Sequence, residues 1–286
     1  GMDYMFMGPE GEEKIPILVV RDQKSGATMS MWVPSKGTES MWVIRRVAAW
    51  IDGLGYGRII LKSDQEESIK AVQREVKDMR IGDTMIENSP VGESRSNGLS
   101  EKAVQEVQGM IRTIKDCTEF NMNKSRTPEE PEREMSGASL AWLIDHAGAL
   151  ITRYKIGKDG KTPYQRLKGK KCSHIVMPFG ERCLFKPLKK DGEAMNKMEV
   201  KYKHGVYLGT SSRTGEAFIG NADGVVRARD IRRLVDGEQW IAKEIEQIKG
   251  TPWAPVDGDR EEPVPIRIPR PVSYTHLTLP TIGVCR

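Results

Sequence analysis

Apolar positions change their period several times along the chain. Three short runs open it, at 4–7, 16–20 and 27–33, the last with the alternation of a half-buried strand. Gly11, Lys24 and Gly26 fall in the connections, which predicts an antiparallel meander. Val43, Ile44, Val47, Trp50, Ile51 and Leu54 then recur at helical spacing, and Gly53 and Gly55 stop that helix. Residues 58–61 predict a short buried strand. Ile69, Val72, Val76 and Met79 mark one face of a second helix, and 84–86 a brief fifth strand. After a polar loop at 87–98, a long helix is predicted over 99–117, with Ala103, Val104, Val107, Met110, Ile111 and Ile114 on its apolar face. A Pro- and Glu-rich connector (127–134) leads to another helix over 138–154.

This order, three strands, helix, strand, helix, strand, helix, helix, predicts an α/β fold with a mixed five-stranded sheet and flanking helices. Beyond Thr162 the texture changes. Short strand candidates at 176–184, 205–208, 217–219 and 225–230, separated by Gly-rich turns, predict a small β barrel or β-rich domain. From about residue 250 the chain is rich in Pro, Asp and Glu, a composition that predicts disorder. The expected units are 1–158, 159–235 and a mostly disordered 236–286.

With 286 residues, 38% hydrophobic and 30% charged, the core is adequate and not large. The net charge of +5 hides a local excess: residues 153–190 hold twelve Lys or Arg against two acids, a distribution that attracts polyanions. The four cysteines, Cys117, Cys172, Cys183 and Cys285, form no CxxC pair. That predicts a reducing compartment, nuclear or cytoplasmic, and no disulfide framework. No apolar run approaches a membrane span and no signal peptide is visible, so no membrane partner is expected.

Three acids stand out by position. Asp3 opens the first strand, Asp64 ends the fourth, and Glu101 sits in the first turn of the long helix. Singly each has an ordinary reading: Asp64 as a helix N-cap, Glu101 as a partner of the helix dipole, Asp3 as an exposed side chain. If the first and fourth strands are neighbours, the three converge. Such a cluster is sustained by cations, and its oxygen ligands suit Mg²⁺ or Mn²⁺.

The spacing of Asp3, Asp64 and Glu101, with about 36 residues between the last two, resembles the retroviral and retrotransposon integrase core, which has an RNase H-like fold. SNGLSEKAVQEVQGMIRTIK resembles the family's segment in which Gly precedes the glutamate helix. KTPYQRLKGKK, MPFGERCLF and GVYLGTSSRTGEAFIGNADGVVRARDIRRL are similar, in order, to segments of copia-type LTR-retrotransposon integrases. The resemblance covers roughly residues 1–234. It implies a polynucleotidyl transferase that joins element DNA 3′ ends to target DNA with two metal ions held by Asp3, Asp64 and Glu101. Asp3 would bridge both ions, Asp64 would hold one and Glu101 the other. It also implies DNA as partner and a homo-oligomer. The apolar surface at 142–150 is a candidate contact for that assembly, or plain core.

Some positions depart from the family. Gln65 and Glu66 follow Asp64 where Asn-Gly is usual, and Glu66 and Glu67 add negative charge beside the proposed site. Gln105 and Gln108 stand where retroviral relatives often place basic residues, and glutamine releases no counterions. DNA contact then leans on Lys102, Arg112, Lys115, Arg153, Lys155, Lys168, Lys170 and Lys171, with Gln105 and Gln108 as hydrogen-bonding partners. The family's upstream His/Cys zinc module is not seen. The set Cys172, His174, Cys183 and His204 matches no zinc spacing, and Cys183 reads as a small core residue beside Phe179 and Phe185. The upstream part of the first strand is expected to be missing. PVSYTHLTLPTIGVCR (271–286) resembles a translated sequencing adapter, so a fragment of a Pol polyprotein is expected. Two alternatives stay open: an inactive, decayed nucleic-acid-binding protein of the same fold, and an RNase H-type nuclease.

Overall fold

The computed structural model describes residues 1–8, 14–88, 98–124, 126–173, 177–188, 198 and 200–256. The first connection (9–13), most of the polar loop (89–97), His174, Val176, and the 257–286 segment with Cys285 and the adapter-like stretch lie outside them.

The strands β1 (Met2–Met7), β2 (Ile15–Arg21) and β3 (Thr28–Trp32) form the expected antiparallel meander, with Asp3 opposite Val19. Helix α1 (Met41–Gly53) follows, then β4 (Arg58–Ser63), α2 (Glu67–Met79) and β5 (Asp83–Asn88), with β4 and β5 parallel. The long helix α3 (Gly98–Asn123) and α4 (Gly137–Tyr154) complete the α/β element order that the sequence predicts. One expectation is corrected. The five strands are not a single hydrogen-bonded sheet: β1–β2–β3 and β4–β5 are separate ladders among the described residues. Shared apolar burial joins them instead, since Met2, Tyr4, Leu18, Leu61, Ile69 and Val72 belong to one cluster.

Alternation along β1 divides the molecule into layers. Met2 and Tyr4 point into the cluster under α1 and α2, whereas Met5 joins Ile17, Val107, Trp142 and Ile144 under α3 and α4. The 142–150 surface is therefore mostly core: Trp142, Leu143, Ile144 and Ala147 are buried. Helix α4 sits close on β3 at Gly148, where a Cβ would lie 2.6 Å from the Ser30 nitrogen. Ser30 Oγ accepts from Gly148 N–H at 3.0 Å and donates to the Ile144 carbonyl, which fixes that approach.

A short helix α5 (Pro163–Lys168) escaped the apolar pattern because six residues carry too little periodicity. Its own chemistry makes it: a Thr162–Gln165 capping box, Pro at the start and Gly169 in the left-handed region at its end. Strands β6 (Arg182–Pro187), β7 (Lys203–Thr210), β8 (Ala217–Asn221) and β9 (Gly224–Arg233) close into a barrel. β6 begins later than the predicted 176–184 because Pro178 and Gly180 hold a turn, closed by Glu181 N–H donating to the Pro178 carbonyl. Cys183 is buried in the barrel with Phe185, whereas Phe179 belongs to the α3–α4 cluster.

The same α3–α4 cluster takes in Val206, Leu208 and Val225 of the barrel, so apolar burial runs unbroken across residue 158. The stretch 236–256, assigned by composition to a disordered tail, is ordered. Helix α6 (Ala242–Glu246) buries Ala242 and Ile245, Ile248 follows, and Trp253 packs edge-on against Trp32 and Trp42. The buried apolar residues Ala242, Ile245 and Ile248 hold that segment to the fold. No helix among the described residues is long and apolar enough to cross a membrane.

Candidate active site

Three elements meet at the start of β1. A Cβ placed on Gly1 would lie 2.5 Å from the Ser100 hydroxyl and 3.9 Å from the Lys62 carbonyl. Ser100 precedes Glu101 in the first turn of α3, and Lys62 lies two residues before Asp64 in β4. Asp3, two residues along from Gly1, points by alternation to the face that α3 covers. The sequence-predicted acids are thus delivered to one region by a strand start, a strand end and a helix start.

Asp3 registers that convergence. Its carboxyl is pushed up to about 6 by burial first and then by the charge of Asp64. A hydrogen bond from the Tyr4 backbone opposes the rise, and Glu101 and Glu66 add to it. As positioned, the acids do not close on one point: among the described residues no group of three His, Cys, Asp or Glu side chains is gathered for a metal ion. The donor chemistry, oxygen only and mutually repelling, fits a hard divalent cation.

Asp64 is not the helix cap that its position predicts. Its Oδ1 accepts from Glu66 N–H at 3.2 Å, an Asx-type turn ahead of α2, and Glu66 occupies the cap position. Glu66 is also not a bare charge beside the site. Burial opposes its ionisation, but hydrogen bonds from Lys36 Nζ and Ser68 Oγ outweigh that and hold it below the usual carboxylate range. Lys36 was invisible as a site residue because 30 residues separate it from Glu66 and no local motif links them.

The proposed DNA contacts divide. Lys102, Gln105 and Arg112 are exposed on α3, and half-buried Gln108 accepts a 3.4 Å bond from Arg112. Lys115 is tied to Glu119 at 2.6 Å. Lys155 pairs with Glu106 at 2.6 Å and borders an open groove of about 600 Å³ between α3 and α4, floored by Met110, Leu150 and Ile151. Lys168, Lys170 and Lys171 are exposed around the end of α5. Arg153 is corrected: it is 5% exposed, and its guanidinium donates to the Ser211 carbonyl at 2.8 Å. Its position in the last turn of α4 turns it toward the barrel, so it joins two parts of the fold and presents no free cation.

No family model matches the chain, and no curated protein matches it. Among solved structures, the catalytic core domain of BIV integrase matches over 58% of this chain and 90% of that one, at 17% identity and a TM-score of 0.37. The HTLV-2 integrase catalytic core domain, solved in complex with magnesium in a trimeric form, covers 58% and 93% at 16% identity and 0.40. The simian T-cell lymphotropic virus intasome, in complex with the PP2A regulatory subunit B56 gamma, covers 82% and 78% at 14% and 0.41. These three solved structures are two integrase catalytic core domains and an intasome.

Proposed function

We propose that this chain is the catalytic portion of a copia-type LTR-retrotransposon integrase, joining element DNA 3′ ends to target DNA as a metal-dependent polynucleotidyl transferase. The observation that carries the reading is the convergence of β1, β4 and α3, which makes Asp3 feel the charges of Asp64 and Glu101 across 98 residues of chain. A fold gains nothing from gathering like charges on a half-buried strand unless something positive is to be held there.

In this reading Asp3, Asp64 and Glu101 would hold Mg²⁺ or Mn²⁺ through their carboxylate oxygens. Bound ions would supply neutralisation of the charge developing on the attacked phosphate and activation of a hydroxyl nucleophile. The chain's residues orient the DNA: Lys102 and Arg112 along α3, and Lys168, Lys170 and Lys171 at the end of α5, meet phosphates. The Asx-type turn to the Glu66 N–H fixes Asp64 just past the end of β4. A homo-oligomer brings two DNA ends to one target.

The test is strand transfer. A labelled DNA end incubated with a target duplex and Mn²⁺ should be joined, and Asp64→Asn should abolish joining. Joining that survives Asp64→Asn sinks the mechanism. A second reading, a DNA-binding protein of the same fold without catalysis, is favoured by the acids' failure to close into one ligand group. It expects salt-sensitive DNA binding and no joining under any metal.

A further inference from the structure

On the other face of β1 from Asp3 stand an aromatic ring and a cation that the transfer chemistry does not use. Phe6 lies three residues beyond Asp3 on β1 and is 45% exposed, although it is a large apolar side chain. Lys36, from the loop between β3 and α1, holds Nζ 4.5 Å from the centre of the Phe6 ring and 5.2 Å from that of Tyr4. The same Nζ pairs with Glu66, two residues past Asp64. The loop is built to do this: Gly37, in the left-handed region at φ +91°, donates its N–H to the Tyr4 hydroxyl at 3.3 Å.

We propose that Phe6 and Lys36 form a nucleotide subsite flanking the reacting position, in which Phe6 stacks on a base of single-stranded DNA and Lys36 takes the adjoining phosphate. The inference rests on the integrase reading and deepens it. Alternation places Phe6 on the opposite face of β1 from Asp3, and the link from the subsite to the acids runs through Lys36, whose Nζ also pairs with Glu66, two residues past Asp64. Three strand residues span about 10 Å, roughly three stacked steps of a nucleic-acid strand at 3.4 Å each. Base stacking on an aromatic ring is tolerant of sequence, which suits an enzyme that meets many targets.

Lys36 is placed to exchange partners. The Lys36 and Glu66 side chains are 30% and 37% exposed, so the pair is screened by water and weak. A phosphate arriving at the acid cluster competes for the same ammonium. The exchange leaves Phe6 accessible on the face that Lys36 now covers.

The test is binding of the full chain to a fluorescently labelled single-stranded oligonucleotide, and to a duplex of the same sequence, without divalent ions. Phe6→Ala should weaken single-strand binding roughly ten-fold, with Phe6→Tyr close to wild type. Lys36→Ala should lower the salt slope by about 0.7, and Lys36→Arg should restore it. Phe6→Leu keeps apolar bulk but loses the π face, and should fail as Phe6→Ala does. If Phe6→Leu binds like wild type, or neither alanine variant changes single-strand binding, the subsite is overturned while the integrase reading stands. If the wild-type chain binds neither DNA form, both are overturned.

Discussion

Asp3 in β1 is held near 6 by its burial and, next, by the carboxylate of Asp64 at the end of β4. Between the ordinary 3.8 and about 6, the folded chain keeps a proton that the unfolded chain has released. Stability from this group is therefore greatest at low pH and falls as pH climbs through that window. A shift of this size corresponds to at most about 3 kcal/mol, and solvent screening of a half-buried carboxyl leaves on the order of 1 kcal/mol. Asp3→Asn should flatten that part of the pH–stability curve and stabilise the chain at pH 7.5. Denaturant unfolding from pH 3.5 to 7.5 measures it, and an unchanged curve contradicts the clustering.

The same repulsion predicts how the fold answers to divalent ions. At pH 7.5, millimolar Mn²⁺ should raise the melting temperature of the wild type, because ions that bind only the folded chain stabilise it by mass action. Asp64→Asn and Glu101→Gln should each remove most of the rise. An equal rise in the variants places the ions elsewhere.

Arg80 is the fixed point under β4 and β5. Its side chain is fully buried, with Nε donating to Asp52 at 2.7 Å, Nη1 to Thr84 Oγ1 at 2.7 Å and Nη2 to the Tyr56 carbonyl at 3.4 Å. Arg80→Met strips three acceptors of their donor and should cost about 3 kcal/mol in urea unfolding. DNA binding per molecule of folded protein should not change.

The sequence made the α/β order legible because each element on the sheet buries one face, and burial prints a period. Ile69, Val72 and Val76 of α2 are all fully buried, at the predicted spacing. Asp3, Asp64 and Glu101 stood out by their strand-end and helix-start positions, and the structure brings those elements together without gathering the three side chains into one ligand group among the described residues. What stayed hidden is of two kinds. Helix α5 and the Trp253 clasp rest on single caps or rings, which leave no periodic trace. Lys36 and Arg153 take their roles from partners 30 and 58 residues away, Glu66 and Ser211, so their charge alone could not tell a clamp from a free surface cation.

Gly148 shows how tightly the α4 layer is set. A Cβ there meets the Ser30 backbone nitrogen at 2.6 Å, and main chain cannot step aside as a flexible side chain does. Gly148→Ala should push α4 away from β3 and cost about 3 kcal/mol, whereas alanine at exposed Gly109 on α3, with nothing within 4 Å of its Cβ, should stabilise slightly. Parallel thermal melts separate the two.

Arg153 and the Lys170–Lys171 pair look alike in composition and should behave in opposite ways. Arg153 is buried against Ser211, so Arg153→Gln should cost about 2 kcal/mol of stability, by leaving that carbonyl short of a donor, and should leave the salt dependence of DNA binding unchanged. Lys170 and Lys171 are exposed, so replacing both with Gln should leave the melting temperature alone. If each meets a phosphate of duplex DNA, the slope of log affinity against log salt should fall by about 1.8 in the double variant. A slope that stays put moves the DNA away from α5 and onto the exposed face of α3, where Lys102 and Arg112 would then carry the loss.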